Sequence, residues 1–144
     1  MNNKDIYLTK HSEETRKLGL DFAKKIKYGD FLALYGNLGS GKTTFIQGLA
    51  EGLGIKRRII SPTFIIVRHY NLDKGSFYHI DLYRTNSKHD LLGLGMDEII
   101  ENKKNIIAVE WSDKLNDFLP KKRTEFHFKY IEENEREIII KKYE

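Results

Sequence analysis

The strongest constraint on this chain's fold is the junction at residues 31–53. "FLALY" (31–35) is apolar without alternation, the pattern of a strand buried on both faces. "GNLGSGKTT" (36–44) follows it. Phe45, Ile46, Leu49 and Leu53 then recur at helical spacing, with Gly54 as the stop. The loop fits G-x-x-x-x-G-K-[ST] through Gly36, Gly41, Lys42 and Thr43. A loop of this kind turns successive backbone N–H groups inward, at φ angles that glycine adopts cheaply, and the following helix adds its N-terminal dipole. It is built to hold a phosphate chain. The expected phosphate-binding set is Gly36, Asn37, Leu38, Gly39, Ser40, Gly41, Lys42, Thr43 and Thr44. Lys42 brings a point charge to the β- and γ-phosphates, and the Thr43 hydroxyl suits Mg²⁺.

A doubly buried strand needs a sheet with helices on both faces, and the rest of the chain can supply one. Ile6 to Leu8 reads as a short edge strand. Ser12 reads as a helix cap, with Glu13 and Glu14 in the first turn, and Leu18, Phe22 and Ile26 carry that helix to about Tyr28. "FIIVRHY" and "SFYHIDLY" flank "NLDKG" as a hairpin. Ser87 to Asp90 forms a capping box, and Gly93 and Gly95 interrupt the helix that it starts. A further helix covers about Met96 to Asn102. "IIAVEW" (106–111) is a second deeply buried strand, and "TEFHFKYI" and "REIIIKKY" flank "EENE" as a terminal hairpin. The expected fold is α/β: a P-loop NTPase-like mixed sheet of about seven strands with flanking helices and a C-terminal antiparallel hairpin. Its centre is parallel and one side antiparallel. At 144 residues the chain reads as a single domain over 1–144.

Composition narrows the function classes. The net charge of +4 is spread over short basic clusters set between acids, a pattern of solvated faces more than of a nucleic-acid stripe. With no cysteine, disulfide and thiolate chemistry are excluded. No apolar run approaches a membrane span, the polar start does not read as a signal peptide, and the expected location is cytoplasmic. Guanine-specific GTPases carry N-K-x-D after a buried strand. The nearest string, "SKHD" (87–90), has Ser first and no strand before it, which favours adenine.

A phosphate loop needs a carboxylate at the end of a neighbouring strand to orient Mg²⁺ and its waters. Glu110 ends "IIAV" and Asp81 ends "FYHI"; Glu110 has the cleaner apolar lead. The plain alternative for each is a strand-end acid in a surface pair. His79 and Asp81 share one strand face. No second cluster makes them a metal ligand set, and a histidine lodged beside the phosphate site is the simpler reading. In "SPTF" (61–64), Pro62 holds Ser61 extended. Thr63 then reads either as a γ-phosphate and metal sensor or as part of a plain β-turn. Trp111 reads either as core or as a neighbour of the catalytic acid.

"GNLGSGKTTF", "SPTF", "HIDLYR" and "VEW", in this order and spacing, resemble the bacterial ATPase family of tRNA threonylcarbamoyladenosine biosynthesis, called TsaE (earlier YjeE). The likeness covers nearly the whole chain. It implies an ATP- or ADP-binding protein that uses Mg²⁺, hydrolyses ATP weakly alone, and joins a TsaD-like threonylcarbamoyl transferase subunit and its TsaB-like paralogue. Hydrolysis would reset that complex between turnovers, and tRNA would be met only through it. Carried over by position, the loop from Gly36 and Lys42 hold phosphates, and Thr43 and Glu110 match the metal positions. Asp81 matches an acid needed for hydrolysis. Ser61, Thr63 and Trp111 match switch or sensing positions. Asn37 stands where relatives often carry Asp, which removes a charge near the phosphates.

Two other classes remain at this point. A small P-loop kinase would need an arginine-rich lid, for which only 84–104 has room, and that stretch holds just Arg84. The second is a non-enzymatic nucleotide-sensing or RNA-binding module; the lack of an RNA-binding signature or a clustered basic stripe argues against direct RNA reading.

Overall fold

The structure is a computed structural model that describes residues 3–56, 66–84 and 88–144. In chain order its elements are β1 (Asn3–Thr9), α1 (Ser12–Phe22), β2 (Phe31–Tyr35), α2 (Lys42–Gly52), β3 (Val67–Asn71), β4 (Ser76–Asp81), α3 (Lys88–Gly93), α4 (Met96–Glu101), β5 (Asn105–Glu110), β6 (Arg123–Tyr130) and β7 (Arg136–Tyr143). The strands form one seven-stranded sheet in the order β1-β7-β6-β2-β5-β4-β3. β2 lies parallel between β5 and β6, and β4 lies parallel to β5. Antiparallel pairing occurs at both edges, where the sequence reading placed it at one. β3 pairs with β4 at one edge, and β7 and β1 extend β6 at the other.

Alternation along β2 sorts the core into two layers. Leu32 and Leu34 face α1 and α2, packing with Phe45, Ile46, Leu49, Phe77, Ile106 and Phe126. Phe31 and Ala33 face the other way, with Leu91 and Met96 from α3 and α4 and with Ile80, Ile107 and Val109. Both faces are covered, so the strand needs no polar face and reads as a continuous apolar run. Fully buried side chains such as Phe45 and Phe77 contribute about 1.5–3 kcal/mol each relative to exposure. α1 and α2 meet backbone to backbone. A Cβ on Gly48 would lie 1.8 Å from Arg16 O, and one on Gly19 would lie 2.1 Å from Phe45 O. This close approach seats α2, and with it the phosphate loop, against the sheet.

Several element ends differ from expectation. Ser12 is the first helical residue, not the cap; His11 holds the cap position in extended conformation without a side-chain cap bond. α1 stops at Phe22, passes through a short 3₁₀ turn at Ala23–Lys25, and is extended by Ile26. The apolar repeat therefore outlasts the helix, because the partly buried Ile26 packs on the same core from a different backbone. Trp111 does not continue β5. Residue 87, and with it the expected capping box, lies outside the described residues, as do 64 and 65 of the first expected hairpin strand. Among the described residues no helix is long and apolar enough to cross a membrane.

Candidate functional site

α2 begins at Lys42, and Gly41 precedes it at φ 104°, a left-handed conformation that costs glycine little. The turn aims the first N–H groups of α2, which have no intrahelical partners, at the loop's interior. Lys42 is only 4% exposed, although a cation at a helix N-terminus opposes the dipole. Its ammonium folds back onto the loop, donating to Gly36 O and, at 3.2 Å, to Asn37 O. The second bond uses the backbone, so it does not depend on whether residue 37 is Asn or Asp. Nζ also lies 4.3 Å from the centroid of the Trp111 ring. Burial pushes the Lys42 pKa down, and the nearby Glu110, Asp81 and Asp113 carboxylates oppose that fall. Buried N–H groups and a buried ammonium converging on one spot make an anion site.

The carboxylates come from two adjacent parallel strands. Asp81 ends β4 and Glu110 ends β5, and they are register partners. Both are buried, which sets aside the surface-pair alternative. The Thr43 hydroxyl lies 3.3 Å from each oxygen of Glu110 and donates to that carboxylate. His79 Nε2 lies 2.6 Å from Glu110 Oε2, so the histidine sits beside the acid. Asp81 Oδ1 accepts the Tyr83 N–H at 2.9 Å.

Trp111 follows Glu110 at φ 61° and ψ 45°. This left-handed conformation costs a non-glycine residue on the order of 1–3 kcal/mol, and such strain collects at functional sites. It turns the half-buried indole out of the strand line, between Lys42 and the Tyr83 ring at 5.1 Å. Ser61 and Thr63 lie outside the described residues.

Residues 37–44, Asp81, Glu110 and Trp111 line one cavity of about 220 Å³. Gly36 stands just behind it, holding Lys42. Ser12, Thr15, Asn134 and Arg136 complete the wall, and sequence reasoning had not assigned them to a site. Arg136 opens β7 yet reaches across to the loop. Its Nε donates to Gly39 O at 3.1 Å, and its NH1 donates to the carbonyls of Glu132, Glu133 and Glu135. No local pattern marks it: it is a charged residue at a strand start, ninety-seven positions from its loop partner. Arg84, the arginine of the 84–104 stretch, is exposed and does not line the cavity.

The donor set fits a hard divalent cation. A hydroxyl and a carboxylate in contact, with a second carboxylate beside them, are the oxygen ligands that Mg²⁺ takes. Among the described residues, no group of three or more His, Cys, Asp or Glu could hold a metal by itself.

Residues 9–138 match the family model described as threonylcarbamoyl adenosine biosynthesis protein TsaE. A Bacillus subtilis protein named tRNA threonylcarbamoyladenosine biosynthesis protein TsaE is 41% identical over 130 residues, covering 90% of this chain and 80% of its own length. The Borreliella burgdorferi protein of the same name is 40% identical over 114 residues, covering 76% and 82%. The crystal structure of Bacillus subtilis YdiB superposes with a TM-score of 0.83 at 34% identity, covering 100% of this chain and 88% of that one.

Proposed function

The chain belongs to the TsaE family, and from that premise we propose that it is the ATPase component of tRNA threonylcarbamoyladenosine modification. In this reading it works in the cytoplasm and binds ATP or ADP with Mg²⁺. It hydrolyses ATP slowly alone and faster with a TsaD-like transferase subunit and a TsaB-like paralogue, resetting their complex between turnovers. It meets tRNA only through that complex. The observation that carries the reading is the convergence of Lys42, Thr43, Glu110 and Asp81 on the phosphate-loop cavity.

Each residue has a part that follows from its chemistry. The loop N–H groups and Lys42 bind the β- and γ-phosphates. Thr43 and Glu110 would hold the metal, which when bound neutralises charge developing on the phosphate oxygens. Asp81 and Glu110 orient water for in-line attack. The water oxygen bonds to the γ-phosphorus as the bond to the bridging oxygen breaks, leaving ADP and phosphate. Arg136 braces the loop through Gly39 O. An arginine finger is worth about 10³–10⁵ in rate and can be supplied in trans. Among the described residues the arginine lining the cavity, Arg136, is engaged by main-chain carbonyls, so the isolated protein is expected to be slow until partners close over the site.

The kinase alternative needs a lid from the 84–104 stretch. α3 and α4 instead bury Leu91 and Met96 in the sheet face away from α2, and none of their residues lines the cavity. The deciding experiment is steady-state ATP hydrolysis by the protein alone and with both purified partner subunits. Stimulation by the partners is the expected result. An isolated rate already in the ordinary enzyme range of about 1–10³ s⁻¹, indifferent to the partners, would overturn partner gating.

A further inference from the structure

His79 is a buried side chain that the hydrolysis scheme above leaves without a task. It lies on β4 opposite Ala108 of β5 and is 0% exposed. Glu110 is two residues further along β5, on the same sheet face. The small Ala108 side chain leaves the imidazole free to reach along the strand to the carboxylate.

Two donors meet Glu110, and they differ. Thr43 is shared between both oxygens at 3.3 Å and so selects no single orientation. His79 Nε2 is at 2.6 Å from Oε2 alone. A buried carboxylate whose one oxygen is held this closely cannot rotate without abandoning a charge-assisted bond. The other imidazole nitrogen, Nδ1, is buried with no hydrogen-bond partner among the described residues. An ionised carboxylate only accepts. The tautomer with its proton on Nε2 matches this pair, and the opposite tautomer would set two lone pairs against each other.

We propose that His79 is a positioning residue for ATP hydrolysis: it donates from Nε2 to Glu110 Oε2 and fixes the carboxylate in the orientation that orders the metal and its water. The proposal rests on the ATPase reading for its consequence, though not for its geometry. A histidine kept only for packing would fill the same space without needing a donor at Nε2.

The first test uses the full chain without nucleotide or metal. Imidazole nitrogen NMR should find the His79 proton on Nε2; a bare Nε2 would overturn the proposal whatever the protein does with ATP. The second uses two variants. His79→Leu keeps the volume and removes the donor. Its turnover should fall about 10–100-fold, the usual effect of losing a partner that orients a metal ligand. It should also need more Mg²⁺ for half-maximal rate, while nucleotide affinity without Mg²⁺ stays unchanged. His79→Gln places an amide N–H near the Nε2 position and should recover most of the loss. A folded His79→Leu with wild-type turnover and Mg²⁺ dependence would overturn the proposal. So would a folded His79→Gln as impaired as His79→Leu. If the wild-type protein hydrolyses no ATP even with its partners, the ATPase reading fails, and the imidazole proton still decides the contact.

Discussion

The two halves of the sheet solve the same burial problem in different ways. In the parallel centre, helices cover both faces, and every residue of β5 is buried, including Glu110 at its end. In the antiparallel wing of β6, β7 and β1, α1 and α2 cover one face only. β7 accordingly alternates, with Ile138 and Ile140 in the core and Glu137, Ile139 and Lys141 turned away from it. The face of β6 turned away from α1 and α2 carries polar groups. Arg123 and His127 flank Glu125 at 2.7 and 2.8 Å, His127 stacks on Tyr35 at 4.6 Å, and Arg123 lies 4.3 Å from the Tyr143 ring. Burial alone would raise the Glu125 pKa, but hydrogen bonds from His127 and Arg123 outweigh it and hold it below the usual value. For the Tyr35 hydroxyl, burial and then Glu125 push the pKa up to about 12. The contrast is instructive. Charges in the wing are partnered by neighbours on their own face. The carboxylates at the end of the parallel centre are also buried, but they stand in a cavity wall, where Glu110 meets Thr43 and His79.

The contrast can be strained at four points. The largest effect on folding is expected from Phe77→Ala, in the middle of the covered centre with its side chain 0% exposed. Chemical denaturation should show a loss of about 3–5 kcal/mol, from lost transfer energy and the cavity left behind. A loss under 1 kcal/mol would mean that the centre is packed more loosely than its burial implies.

Next come the buried acids. Glu110→Ala and Asp81→Ala should each retain much of the nucleotide affinity, because the loop N–H groups remain. Each should lose turnover by on the order of 10²–10³-fold, as expected when a preorganised electrostatic group is removed from a site. Wild-type hydrolysis in both would return these residues to the class of ordinary strand-end acids. Lys42→Ala comes third. Losing one charge-assisted contact of about 1.5–3 kcal/mol weakens ATP binding roughly ten- to hundredfold. Titration calorimetry reads this directly, and unchanged affinity in a folded variant would undo the phosphate-loop assignment.

The smallest effect belongs to the wing. Ile6 on β1 is 60% exposed, so Ile6→Ser should shift stability by no more than about 0.5 kcal/mol and leave hydrolysis untouched. A larger shift would show that the open face is less independent of the centre than the layering suggests.

The sequence by itself determined what local chemistry controls. The run at 31–35, the glycine-rich loop and the helix after it were legible because a doubly buried strand and a phosphate loop each impose their own composition. Glu110 stood out because four apolar residues lead into it. The terminal hairpin was legible from two alternating runs around a short polar turn. Helix ends were less so: Leu18, Phe22 and Ile26 keep one period although the backbone leaves the helix at Ala23–Lys25. Apolar spacing records which side chains face the core, not how the backbone brings them there.

Tertiary structure decided everything that depends on pairing. Nothing local places β2 between β5 and β6, aligns Asp81 with Glu110, or turns Trp111 into a left-handed conformation beside Lys42. The reach of Arg136 to Gly39, and of His79 to Glu110, spans ninety-seven and thirty-one positions of chain. Such contacts exist only once strands from distant segments share a sheet, because a side chain's range is a few ångströms and the strand order alone determines what falls within it.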